Sequence, residues 1–188
     1  INGVLNDFQS VRRNAEMISS YTGGVRIHFV CRASSGWPGD FFNALLTMSG
    51  LRSPMAEHLV QKWRELIQEM GGVGGGGRII HYSHSLGSVD TIGARDLLLP
   101  EEAAMIEVYA FASPRAVSSD GFHYVVNYCS VRDQVWLLDP TGYYKHNVIF
   151  LKSTGLYGYD HRWRSPVNQS VIKALGEKWL HQYGSNKE

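Results

Sequence analysis

The sequence predicts an α/β fold of three layers, a mostly parallel sheet with helices on both faces. Three observations carry that expectation. Short runs rich in β-branched and aromatic residues are separated by amphipathic stretches of helical spacing, and strands joined through helices run parallel. The stretch Ile79-Ile80-His81-Tyr82-Ser83 reads as a buried strand that turns straight into a helix. No internal repeat or linker interrupts the 188 residues, a length that suits one domain spanning 1–188.

In chain order, Ile1 to Leu5 is a short apolar stub, and Asn6-Asp7 offers a helix N-cap. Phe8, Val11, Ala15 and Ile18 recur at helical spacing until Thr22-Gly23-Gly24 stops the helix. Val25 to Cys31 is expected to be a strand. Ser34 to Asp40 reads as a loop, and a short helix is expected from Phe41 to Met48. Ser53 caps the next helix, with Pro54 at its first position, where a missing amide hydrogen costs nothing. Leu59, Trp63, Leu66 and Ile67 form its buried stripe, and Gly71 to Gly77 follows as a flexible connector. Arg78 to Ser83 is the next strand and Ser85 to Leu98 the next helix. Met105 to Ala112, Tyr124 to Tyr128 and Asn147 to Leu151 are expected strands. Val167 to Tyr183 is a terminal amphipathic helix carrying Ile172, Leu175, Trp179 and Leu180.

Composition removes several function classes. Charged residues make up 19% and hydrophobic ones 44%, so the chain can bury a core and is not intrinsically disordered. A net charge of +1 leaves no electrostatic footprint for nucleic acid or a polybasic membrane anchor. No apolar run reaches the ~20 residues that a transmembrane helix needs. Two cysteines, Cys31 and Cys129, cannot build a disulfide framework. No Cys/His cluster has zinc spacing, and His81 and His84, three apart on a strand, face opposite sides of it, so neither metal nor cofactor is expected. The run Gly71–Gly77 precedes its strand and lacks the Gly-Lys-Ser/Thr ending of a phosphate loop. The chain opens at Ile1 without the pattern of a signal peptide and reads as a processed or excised piece of a longer polypeptide, which leaves its compartment open.

The chemistry concentrates in Ser83-His84-Ser85-Leu86-Gly87. A serine at the sharp turn between a buried strand and a helix is the setting of a nucleophile elbow, whose usual pattern is Gly-x-Ser-x-Gly. Small flanking residues are required because neighbouring chains pack close to a strained turn, and Ser83 meets that need less well than glycine. The amide of Leu86, opening the helix, can face a developing oxyanion. The bland alternative is that Ser85 only caps the helix. A serine hydroxyl needs a base, and the base an orienting acid. In such folds the acid and histidine follow the serine in that order. Asp133 stands just past the strand from Tyr124, and Asp139, in Leu137-Leu138-Asp139-Pro140-Thr141-Gly142, is the alternative better read as a turn. His161 lies in an irregular stretch before the last helix, while His146 begins an expected strand. The amide of Val4, after Asn2-Gly3, is the candidate second oxyanion donor, with a simple turn as the competing reading. Arg162, Trp163 and Arg164 form a small cationic-aromatic group beside His161, better read as a solvated rim than as a contact for an anionic substrate group.

Ser83-His84-Ser85-Leu86-Gly87 resembles the Gly-His-Ser-Leu-Gly elbow of lipases in the α/β-hydrolase superfamily. Ala112-Ser113-Pro114-Arg115, Val125-Val126-Asn127 and Asp133-Gln134-Val135 resemble the stretch of fungal-type lipases that leads to their catalytic aspartate, and Asp160-His161 the segment carrying their histidine. Ile1-Asn2-Gly3 is similar to the His-Gly oxyanion loop, with asparagine in place of histidine, and the whole pattern is loosely similar to an uncharacterised chlamydial family with an α/β-hydrolase core. The resemblance implies a minimal, lidless α/β-hydrolase-like fold. It also implies a serine esterase acting on a small-molecule acyl ester through Ser85, Asp133 and His161, with Val4 and Leu86 at the oxyanion. The alternative is a hydrolase-like scaffold that binds a partner without chemistry.

Overall fold

The computed structural model describes residues 1–2, 7–31, 53–145, 147–153 and 159–183. Helix α1 (Phe8–Tyr21) starts where the Asp7 carboxylate accepts the Ser10 amide at 2.6 Å, and it buries Val11, Ala15 and Ile18. Helix α2 (Pro54–Glu69) has Ser53 as its cap. The Ser53 hydroxyl accepts from the Ala56 amide at 3.1 Å and donates to Asp90 at 2.6 Å. Strand β1 (Ile79–His84) runs into helix α3 (Leu86–Arg95), and the short helix α4 (Pro100–Ala103) leads to β2 (Ile106–Phe111). Strand β3 (Tyr124–Ser130), helix α5 (Pro140–Lys145), strand β4 (Val148–Leu151) and helix α6 (Pro166–Tyr183) follow in order among the described residues.

Among the described residues four strands form one parallel sheet in the order β1-β2-β3-β4. Every residue of β2 is buried, which a parallel strand covered on both faces requires. Its alternate side chains divide between two cores. Ile106, Val108 and Ala110 join Leu59, Trp63 and Ile67 of α2, while Tyr109 and Phe111 join Ile18 of α1 and Ile172, Leu175 and Trp179 of α6. The architecture is thus helix, sheet, helix. Among the described residues no helix is long and apolar enough to cross a membrane.

Register determines where function can be built. His84 pairs with Phe111, Phe111 with Tyr128 and Ser130 with Leu151, so the strands end along one common edge. The segments after β1, β3 and β4 all emerge from that carboxyl edge, where open parallel sheets assemble their sites.

Three expectations need correction. Among the described residues Val25 to Cys31 joins no sheet, despite its β-forming residues. Strand propensity counts only where a neighbour supplies the ladder. Among the described residues the free edge of β1 is met by Ile1, whose amine donates to the Tyr82 carbonyl at 2.8 Å and whose carbonyl accepts the His84 amide at 3.2 Å. The glycine run is a folded turn rather than a flexible connector. Val73–Gly75 is one 3-10 turn, closed by the Gly72 amide on the Ile67 carbonyl and the Gly75 amide on the Gly72 carbonyl. Trp163 is core and not rim, packed edge-on against Phe111 at 5.2 Å between ring centres, although Arg162 and Arg164 beside it are exposed. The helix expected over Phe41 to Met48 lies outside the described residues.

Candidate active site

Ser85 follows the last residue of β1 and caps α3 with φ 53° and ψ −129°, a left-handed backbone rare for a residue with a Cβ. Its side chain makes no capping hydrogen bond, so the hydroxyl is not spent on the helix. The turn is held from both sides. The Ser85 amide donates to the Phe111 carbonyl at 2.9 Å, and the Ser85 carbonyl accepts the Ser88 amide at 2.9 Å. Ser83, standing where the usual elbow has glycine, is fully buried, and its hydroxyl oxygen accepts from Ser88 at 3.0 Å. The extra side chain is therefore packed and hydrogen-bonded, which removes the steric objection that the sequence raised.

Gly87 serves a close approach. A Cβ there would lie 2.7 Å from the Asn2 carbonyl oxygen. Residues 1 and 2 therefore cross directly beside this turn. Leu86 is the first residue of α3, and its amide hydrogen has no partner within the helix. Val4 and Gly3 lie outside the described residues.

His161 closes a 3-10 turn, Tyr159–His161, after β4. Its Nε2 is 3.0 Å from Ser85 Oγ and its Nδ1 is 2.9 Å from Asp133 Oδ2. Asp133 is 1% exposed, just past β3, and its other oxygen accepts the Val135 amide at 3.1 Å, which orients the carboxylate. A carboxylate can only accept, so Nδ1 carries the hydrogen and Nε2 presents its lone pair to the serine. Asp139 is placed otherwise. Its carboxylate accepts the Gly142 amide at 3.1 Å and the Ala116 amide at 3.2 Å, a turn-stabilising role. His146 lies outside the described residues.

Several supporting residues escape sequence reasoning. Ser130, at the end of β3, donates to Asp160 at 2.6 Å, and Asp160 is buried. His84 Nε2 lies 2.6 Å from the His161 carbonyl, and Asn168 reaches the carbonyls on either side of it. Burial lowers the His84 imidazole to a pKa of about 3, with the neighbouring His161 adding to the effect. His81 points to the other face of β1, against Trp63 and with Nε2 3.0 Å from the Thr91 hydroxyl, and burial lowers it well below the ordinary range. Only position −1 to the serine hinted at His84. Nothing local marks Ser130 or Asn168.

A largely apolar cavity of about 620 Å³ lies beside β1, bounded among the described residues by α1, α2 and the segment Val25–Val30. His84 and Trp163 line one end of it, and Ser85 is not among its lining residues. No family model matches this chain, and no curated protein matches it either.

Proposed function

We propose that the protein is a serine hydrolase of α/β-hydrolase type that cleaves carboxylic esters through an acyl-enzyme. The observation that carries this reading is the run of hydrogen bonds from Ser85 Oγ through His161 to Asp133, 3.0 and 2.9 Å long. It lies at the carboxyl edge of a parallel sheet, with the serine on a strained strand-to-helix turn.

In the proposed reaction His161 Nε2 takes the Ser85 proton as the oxygen attacks the acyl carbon. Asp133 holds the imidazole in the required tautomer and stabilises the imidazolium that forms. The oxyanion develops where the Leu86 amide points, with the Val4 amide assigned as second donor from the sequence pattern. Collapse of this intermediate expels the alkoxide, which takes the proton from the imidazolium. Water then gives a proton to His161 and attacks the acyl-enzyme, and the returning proton restores Ser85 as the acid leaves.

Reaction with a fluorophosphonate tests this directly. Wild-type protein is expected to be labelled at Ser85 and to hydrolyse p-nitrophenyl esters, and Ser85→Ala is expected to do neither. Folded wild-type protein that resists labelling overturns the proposal and leaves a binding scaffold. A panel of esters of varied acyl length, with thioesters and anilides alongside, then measures bond preference.

A further inference from the structure

We propose that His84 and Asn168 are positioning residues that clamp the backbone around His161 and so aim its imidazole at Ser85. This rests on the reading of Ser85, His161 and Asp133 as a catalytic triad.

A single 3-10 turn has too few internal hydrogen bonds to hold a side chain to the tolerance that proton transfer needs. The restraint comes from elsewhere in the chain. The carbonyls of Asp160, His161 and Arg162 are consecutive, and each accepts a side-chain donor. Asn168 Nδ2 bonds the first at 3.1 Å and the third at 3.0 Å, and His84 Nε2 bonds the middle one at 2.6 Å. Because a carbonyl only accepts, the His84 hydrogen must be on Nε2, and the Asn168 amide must present its NH₂ to the two oxygens. Both side chains are more than nine-tenths buried, so water does not compete for these bonds. The Trp163 ring meets His84 edge-on at 5.1 Å and 88°, which holds the imidazole plane.

The two anchors come from different elements. Asn168 belongs to the first turn of α6, whereas His84 immediately precedes the serine on β1. One residue thus carries the nucleophile and its neighbour grips the base, so the reach of one buried imidazole ties the His161 backbone directly to the strand that carries Ser85. Its neutral state adds to the effect, because a charged ring 5.3 Å from His161 would oppose the imidazolium that catalysis forms.

The test compares fluorophosphonate labelling rates of wild type, His84→Phe, His84→Gln and Asn168→Leu, each verified as folded by circular dichroism. His84→Phe keeps ring volume without a donor, and His84→Gln restores a donor near Nε2. His84→Phe and Asn168→Leu are expected to label about 10²-fold more slowly, the cost of a base displaced by roughly 1 Å, with His84→Gln recovering most of the loss. Labelling of His84→Phe at the wild-type rate, or a glutamine variant no faster than phenylalanine, overturns the clamp. If His84→Phe does not fold, Asn168→Leu carries the same comparison. The His161 Nδ1 proton resonance separates the two proposals. Its loss in His84→Phe supports the clamp even where wild type is not labelled, and an unchanged resonance in a labelled protein defeats the clamp alone.

Discussion

A methyl group on Gly87 would lie 2.7 Å from the Asn2 carbonyl oxygen and 2.9 Å from Ile1 Cγ2, so helix α3 and the first two residues share one close contact. Gly87→Ala forces that contact apart, and overpacking of this kind costs about 1–3 kcal/mol. The variant is expected to unfold at lower urea and to label more slowly, since residues 1–2 lead into the predicted oxyanion loop. A urea midpoint equal to wild type would show that the segment yields freely.

Strain at Ser85 is separable from its chemistry. Its φ of 53° costs a residue with a Cβ about 1–3 kcal/mol, a cost that glycine largely escapes. Ser85→Gly is expected to be more stable than Ser85→Ala by about 1 kcal/mol, with both unlabelled, because the comparison cancels the loss of the hydroxyl. Equal thermal midpoints would contradict a strained elbow. Ala112, at φ 50°, should respond to glycine in the same direction.

The two aspartates are expected to behave differently. An amide at position 133 can donate to Nδ1 and so favour the tautomer that cannot accept the serine proton. Asp133→Asn should therefore lower turnover by about 10⁴. Asp139→Asn disturbs only the turn bonds to Gly142 and Ala116, and should cost about 1 kcal/mol of stability with turnover retained. Steady-state rates beside melting curves decide the pair. A reversed pattern would transfer the acid role to Asp139.

Acid should weaken the fold through its buried imidazoles. The His84 pKa falls from about 6.5 in the unfolded chain to about 3 in the fold, and burial lowers His81 in the same direction. The unfolded state therefore binds more protons below pH 6.5. The stability that His84 contributes above that pH is lost as pH falls towards 3, by about 1.4 kcal/mol for each unit, and His81 acts in the same direction. Urea midpoints at pH 7, 5 and 4 should decline for wild type and decline less for His84→Gln. Parallel slopes would mean that the His84 ring takes up a proton without loss of fold.

Local chemistry carried most of the secondary structure. Asp7 and Ser53 cap their helices because a short polar side chain reaches back to an orphan amide within three residues, a relation written into adjacent positions. The strand at Ile79 was readable from its apolar, β-branched run, and the parallel sheet from helices between strands. Val25 to Cys31 shows the limit. Its residue types suit a strand, but whether a partner edge lies alongside is not a local property. The short helices α4 and α5 and the 3-10 turn Gln134–Leu138 also lack the repeated apolar spacing that reveals longer helices.

The same division runs through the candidate site. Ser85 could be singled out from five consecutive residues, because a sharp strand-to-helix turn imposes small neighbours on the chain itself. Order along the chain then narrowed the acid to two aspartates and the base to two histidines. Bringing Asp133 and His161 to Ser85, with the histidine 76 positions after the serine, required the common carboxyl edge of three strands in register. The grip of His84, Ser130 and Asn168 on the histidine loop emerged only in three dimensions. Hydrogen bonds between distant segments depend on distances of a few tenths of an ångström, and residue identity constrains those distances only after the core has packed.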